Sequence, residues 1–82
     1  MQRASIIVRA EWDPEAEVWV AHSDDVPGLV TEAATQAELL AKLHVMIHEL
    51  LDMNEALRDE FLPEVPLFVR HEQVSSIRIR AA

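Results

Sequence analysis

A broad apolar face at helical spacing between residues 36 and 53 constrains the fold of this chain more than any other feature. Thr35 and Glu38 match the Thr-x-x-Glu capping box, in which each side chain accepts a hydrogen bond from the other residue's backbone N–H. The pattern therefore predicts a helix from Gln36 to Met53. Its large apolar side chains share one wide arc of the helix: Leu39, Leu40, Leu43, Met46, Ile47, Leu50, Leu51 and Met53. Such a face needs a sheet to cover it.

Alternation of apolar and polar residues predicts strands on both sides of this helix. Three strands precede it, over residues 5–12, 18–22 and 29–33. Asp13 and Pro14 favour a tight turn after the first strand, and a turn tip at residues 15 and 16 would set Trp12 opposite Trp19. The first two strands therefore form a hairpin, and the third extends it into a three-stranded antiparallel meander.

A second alternating region follows the helix. Residues 54–61 either prolong the helix or form a further turn, which Pro63 and Pro66 close because neither fits inside a continuing helix. Residues 67–80 then place apolar side chains at odd positions around the polar stretch RHEQVSS. This region forms either two short strands joined near residues 72 and 73, or one long strand whose second half pairs with another subunit.

These elements define an α+β fold in a single domain, residues 1–82: a three-stranded antiparallel meander, one long amphipathic helix packed on the sheet, and one or two C-terminal strands. Because so short a chain buries a small core, oligomerisation would stabilise it. The absence of cysteine excludes a disulfide framework and fits a reducing cytoplasm. No apolar run reaches the roughly 18 residues of a membrane span, so we expect a cytoplasmic protein without membrane contact.

Charge is distributed unevenly in this chain, whose net charge is −8. Residues 11–64 hold 14 acidic side chains and only 2 basic ones, whereas the two terminal segments are basic. Because phosphates are repelled by such a surface, we expect no direct binding of nucleic acid, and a basic partner protein is favoured. The plainer alternative is that the acidic residues only maintain solubility.

Two groups of side chains could carry catalysis or bind a metal, and neither pattern is complete. His44 and His48 lie four residues apart on the helix with Asp52 four further on, which is a zinc-ligand spacing without a third strong ligand. Asp24 and Asp25 are adjacent, so on a strand their carboxylates would point in opposite directions. We therefore predict no catalytic residue, no metal and no cofactor. The alternative is a metal-dependent nuclease that uses both aspartates and both histidines.

Exposed apolar and acidic side chains point instead to a surface for protein partners. Trp19 has the opposite parity from Val18 and Val20, so one sheet face can expose an indole, and Val45 lies within the polar face of the helix. The candidate partner-binding residues are Trp19, Asp24, Asp25, Val45 and His48. The candidates for the interface of a homodimer or higher oligomer lie near the C-terminus: Val74, Ile77, Arg78, Ile79 and Arg80.

Two stretches of the chain resemble the bacterial HicB-like antitoxin domain, in particular its short relatives of unknown function. They read WDPEAEVWVAHSDDVPGLVTEA, residues 12–33, and TQAELLAKLHVMIHELL, residues 35–51. The matching features are the WD and VWVA segments of the hairpin, the DVPGL corner and the capped helix, and the resemblance covers about residues 5–55. It implies a truncated ribonuclease-H-like β-β-β-α-β fold.

The resemblance also implies a function. HicB-like proteins bind and neutralise HicA-like toxins, which are small, basic and cleave mRNA, by covering the active histidine and the RNA-binding surface of the toxin. An acidic chain suits that task, since charge complementarity speeds the capture of a basic protein. Many HicB proteins carry a further DNA-binding segment, which the strand-like end of this chain does not resemble. The second possibility is an orphan domain that only self-associates.

Overall fold

A mixed four-stranded sheet carries one long helix on one of its faces. The computed structural model describes residues 2–81, so the ends of the predicted domain, Met1 and Ala82, lie outside the described residues. The elements in chain order are β1 Ile6–Asp13, β2 Val18–His22, β3 Val30–Ala33, α1 Gln36–Asp52, α2 Glu55–Arg58 and β4 Leu67–Glu72. The predicted order of three strands, a long helix and a further strand is confirmed.

The strands lie in the order β3-β2-β1-β4 across the sheet. The first three form the predicted antiparallel meander, and the β1–β2 register sets Trp12 directly opposite Trp19. β4 pairs with β1 in parallel, which requires a crossover connection, and α1 supplies it. The sequence does not predict this pairing, because alternation alone does not identify the neighbour of a strand.

The helix α1 begins where the sequence predicts and ends one residue earlier. Thr35 Oγ1 accepts a hydrogen bond from the backbone N–H of Glu38 at 3.1 Å, which satisfies a free donor of the first turn. Met53 is the C-cap rather than the last helical residue. The Asn54 side chain then accepts from the Leu57 N–H at 3.1 Å, so the chain starts a separate helical turn, α2, instead of prolonging α1. Within residues 2–81, no helix has the length and apolar character needed to cross a membrane.

One face of the sheet and a narrow row of helix residues form most of the core, and Val26, Leu29, Leu57 and Phe61 complete it. Even-numbered residues of β1 and odd-numbered residues of β2 point towards α1, because residues directly opposite in an antiparallel pair share a face. The helix contributes Leu39, Leu43 and Ile47, which are spaced by four residues. The predicted arc is too wide, since Leu40 is 44% and Met53 84% exposed. Both side chains lie off the row that meets the sheet.

The other face of the sheet is open to solvent in the part of the chain that the structure describes. Its side chains alternate with the core residues along each strand and are exposed or half-buried. Arg9 and Arg70 lie side by side there in the parallel register of β1 and β4, and Phe68 beside them is half-exposed. This face therefore combines apolar and charged groups without a covering layer.

Residues 73–81 leave the sheet and are referred to below as the C-terminal tail. The structure has one short strand in this region, Leu67–Glu72, and no second strand in the described residues that follow it. The alternative of two short strands is therefore wrong, and pairing of the second half with another subunit stays a prediction. The radius of gyration is 15.7 Å, whereas a compact chain of this length has about 12 Å. The longest extent of the protein, 56 Å, is more than twice the others, 25 and 18 Å. A projecting tail accounts for this elongated shape.

Candidate functional site

Trp19 lies in the core rather than on an open face. It is 9% exposed, and its ring meets Trp12 edge-on at 5.3 Å between centroids and His71 at 4.8 Å. The expectation of an exposed indole is wrong, because Val18 and Val20 are the residues of β2 that face the open side. Trp19 therefore stabilises the hairpin and the start of the core, and we do not propose it as a contact for partners.

The Asp25 side chain is hydrogen-bonded to the beginning of β1, just beyond the end of β2. Its carboxylate accepts a hydrogen bond from the Ile7 backbone N–H at 2.8 Å, and the Ser23 hydroxyl donates to the Ile7 carbonyl at 2.6 Å. These side chains replace the backbone partners that a longer β2 would supply. The same carboxylate lies 3.5 Å from the Arg3 guanidinium. Asp25 therefore has a structural role, whereas its neighbour Asp24 is exposed.

The residues of the nuclease alternative do not come together in the structure. Asp24 and Asp25 line a hollow of about 300 Å³ on the open sheet face, beside Arg9, His22 and Arg70. His44 and His48 line a separate cleft on the helix side. Among residues 2–81, no three histidine or carboxylate side chains are grouped so that they could hold a metal ion. The two aspartates and the two histidines therefore share no common centre.

The cleft on the helix side has a volume of about 790 Å³ and lies between α1, the segment that follows it and the start of β4. We refer to it as the α1–β4 cleft. Its apolar lining includes Ile47, Leu51, Phe61, Leu62 and Leu67. The segment after α1 is fixed by a backbone bridge between Arg3 and Phe61, and the Arg3 guanidinium lies 5.5 Å from the centre of the Phe61 ring. The cleft thus has an apolar floor, and the N-terminal segment fixes the Phe61 side of it.

Acidic side chains dominate the rim of the α1–β4 cleft. It carries Asp52, Asp59 and Glu64 against one basic residue, Arg58, so its net charge is −2 with the histidines neutral. The Arg58 guanidinium lies 3.7 Å from the Asp52 carboxylate and 3.9 Å from that of Asp59. Glu64 has no basic side chain within 4 Å among the described residues. The rim can therefore attract a cationic group.

The C-terminal tail has the opposite charge and the same apolar character. Val74 is 95% exposed, and Ile77 and Ile79 are each 81% exposed. Arg78 and Arg80 alternate with the two isoleucines, and the tail contains no acidic residue, which gives it a net charge of +2. All five predicted interface residues are thus exposed in a single copy of the chain.

The five predicted partner-binding residues are not brought together. Trp19 is in the core, Asp24 and Asp25 border the hollow on the open face, and His48 lies in the α1–β4 cleft. Val45 is 57% exposed on α1, as its position within the polar face predicts. No single surface therefore unites these candidates.

Sequence reasoning missed the segment that completes the α1–β4 cleft. Residues 58–65 contribute half of its boundary, and only Phe61 and Leu62 signalled this, as an apolar pair between acidic residues and Pro63. The parallel pairing of β1 with β4 was also needed, because it brings Leu67 beside the helix. Neither contact follows from periodicity within a single element.

Two comparisons with known proteins give a match to this chain. The family model described as a domain of unknown function, DUF1902, matches residues 5–79, and the chain belongs to this family. A similar crystal structure is that of the hypothetical protein TTHA1013 from the extremely thermophilic bacterium Thermus thermophilus. That protein is 51% identical, with 92% of this chain and 99% of that chain covered and a TM-score of 0.66. The search of curated proteins gives no match.

Proposed function

We propose that this chain is a non-enzymatic protein-interaction module of the cytoplasm that self-associates through its C-terminal tail. The observation that carries the proposal is the exposure of Val74, Ile77 and Ile79, at 95%, 81% and 81%, on an extended segment that continues an edge strand. Such a segment exposes both its apolar side chains and its backbone hydrogen-bonding groups to solvent. Addition of the tail as a strand to another subunit covers both.

The alternation within the tail supports strand addition over a less regular contact. Ile77 and Ile79 share one side of an extended chain, and Arg78 and Arg80 share the other. Full burial of one isoleucine side chain is worth about 1.5–3 kcal/mol, which is large for a domain of this size. Two copies that exchange tails would bury four isoleucines, so the gain from dimerisation is substantial.

We further propose a HicB-like role, in which the module binds a small, basic, HicA-like toxin. The resemblance over about residues 5–55, the net charge of −8 and the exposed apolar Val45 support this proposal. The order of elements, with a strand after the helix, is compatible with the truncated ribonuclease-H-like fold that the resemblance implies. A module that self-associates and has no toxin partner is the alternative.

Light scattering coupled to size exclusion tests self-association. The full chain should elute as a dimer or higher oligomer, and a chain lacking residues 74–82 should elute as a monomer. The control carries Ser75→Ala and Ser76→Ala, which keep the length and the apolar residues of the tail, and should behave as the full chain. An oligomer that persists without residues 74–82 would exclude the tail as its interface.

The toxin proposal needs a separate measurement. A HicA-like protein encoded beside this chain would be purified, and its cleavage of RNA followed while the chain is added. Inhibition at equimolar ratio, weakened by Val45→Asp, would support the proposal. Undiminished cleavage, together with normal self-association of the chain, would favour the orphan module.

A further inference from the structure

We infer that the α1–β4 cleft is the docking site for the C-terminal tail of a second copy, and that two copies exchange tails reciprocally. The inference rests on the proposed self-association and names the surface that receives the tail. It assigns Ile77 and Ile79 of one copy to the apolar floor of the cleft of the other. The cleft has an apolar floor with an acidic rim, and the tail has exposed isoleucines beside arginines.

The free edge of β4 borders the cleft and supplies backbone partners for the tail. β4 is the last strand of the sheet, with β1 on one side only. Leu67, its first residue, lines the cleft, and Leu67 and Val69 point to the helix side. A strand added along this edge with its odd-numbered residues on the same side would place Ile77 and Ile79 beside them. The added strand would thus extend the core under α1.

The charges of the two surfaces are complementary. The side chains of the cleft sum to −2 and those of the tail to +2. If the tail continues β4 in a straight line, reciprocal exchange about a two-fold axis perpendicular to the strands makes the tail antiparallel to the β4 that receives it, so the end of the tail meets the beginning of β4. This direction brings Arg80 of one copy near Glu64 of the other, and Glu64 has no basic side chain within 4 Å among the described residues of its own chain.

The tail of the same copy is badly placed to fill the cleft. β4 runs away from the cleft from Leu67 to Glu72, a distance of about 17 Å at the usual rise per residue. The tail would have to reverse direction at once, yet residues 73–81 contain neither glycine nor proline to favour a tight turn. A straight continuation carries the tail away from the cleft of its own copy and leaves it free to reach the cleft of a second copy.

Charge reversal at the two ends of the proposed contact tests the docking site. Glu64→Arg and Arg80→Glu should each raise the dimer Kd about tenfold, because every dimer contains the contact twice. Mixing the two variants should restore dimerisation, since both contacts of the mixed dimer again pair opposite charges. Glu15→Arg, at the exposed hairpin tip outside the cleft, makes the same change of charge and should dimerise as the unmodified chain. Analytical ultracentrifugation measures all four samples.

The outcomes separate the docking site from self-association itself. If Glu64→Arg dimerises as tightly as the unmodified chain while deletion of residues 74–82 gives a monomer, the tail docks elsewhere and only the cleft assignment is lost. If the unmodified chain is monomeric from micromolar to millimolar concentration, self-association and the cleft assignment both fail. The circular dichroism of each variant shows whether it is folded. If both variants are folded and do not rescue each other on mixing, the cleft assignment is also overturned.

Discussion

β1 and β4 lie side by side, run in the same direction and alternate in the same way, yet they are buried to different depths. Val8 and Ala10 of β1 have no exposed surface, whereas β4 alternates between half-buried and exposed residues. β1 has a strand on each side, while β4 has one neighbour. Alternation therefore divides the residues of a strand between its two faces, but the depth of burial depends on what surrounds the strand.

The same contrast separates the tail from the rest of the chain. Ile77 and Ile79 repeat the spacing of Ile6 and Val8, but the first pair is exposed and the second buried. Apolar side chains that stay exposed in a single copy are unfavourable in free energy in water. We therefore interpret the uncovered pattern as a contact between copies, and the following predictions compare the covered and uncovered regions.

Truncation of a buried side chain should have the largest effect on the free energy of unfolding. Leu43 of α1 is fully buried against the sheet, so Leu43→Ala should lower the free energy of unfolding by about 2–5 kcal/mol through lost contacts and a cavity. Leu40→Ala makes the same chemical change on the same helix at a residue that is 44% exposed, and should cost clearly less. Urea denaturation followed by tryptophan fluorescence at one protein concentration measures both. Equal losses would contradict the narrow core row of α1.

Removal of the Asp25 carboxylate should have the next largest effect. Asp25→Ala leaves the Ile7 N–H without its acceptor, which should cost about 1–3 kcal/mol of unfolding free energy. Asp25→Asn keeps an acceptor oxygen and should recover part of that loss. Asp24→Ala, at the exposed neighbour, should change stability little, and the same denaturation measurement compares the three variants. A large loss in Asp24→Ala would show that Asp24 has a structural contact too.

Local patterns predicted most of the fold correctly for residues 5–53. The Thr35 cap, the hairpin turn and the opposition of Trp12 and Trp19 all depend on residues close in sequence, and each is confirmed. Of the two hydrogen bonds of the predicted capping box, the described residues show the one that Thr35 accepts from the Glu38 N–H. The side of the sheet that Trp19 occupies was predicted wrongly. Parity assigns a residue to one of two faces but does not say which face α1 covers, and here the valines of β2 take the open face.

The α1–β4 cleft was beyond sequence reasoning for a related reason. It forms only when a parallel pairing brings Leu67 to the edge of the sheet and a bridge at Phe61 folds the chain back towards Arg3. These contacts join residues far apart in sequence, and the sequence around one residue does not indicate which distant residue it pairs with. The residues of the tail, by contrast, were identified from alternation alone, although their role as an interface remains a prediction.

Loss of the helix cap should have a moderate effect within the covered region. Thr35→Ala removes the acceptor of the Glu38 N–H and should lower the free energy of unfolding by about 1 kcal/mol. Thr35→Ser keeps the hydroxyl and should be close to the unmodified chain. Helicity from circular dichroism and thermal unfolding measure the difference. If Thr35→Ser loses as much as Thr35→Ala, the methyl group rather than the hydrogen bond is responsible.

Deletion of residues 74–82 should have the smallest effect on the fold of a single copy, because the tail lies outside the buried core. At protein concentrations low enough for both chains to be monomeric, the free energies of unfolding should agree within about 0.5 kcal/mol. Association stabilises the folded state by mass action, so the Tm of the full chain should rise with protein concentration and that of the shortened chain should stay constant. Differential scanning calorimetry over a concentration series compares them. A shortened chain that is much less stable at every concentration would mean that the tail packs on its own copy, and the contrast between a covered core and an uncovered tail would no longer hold.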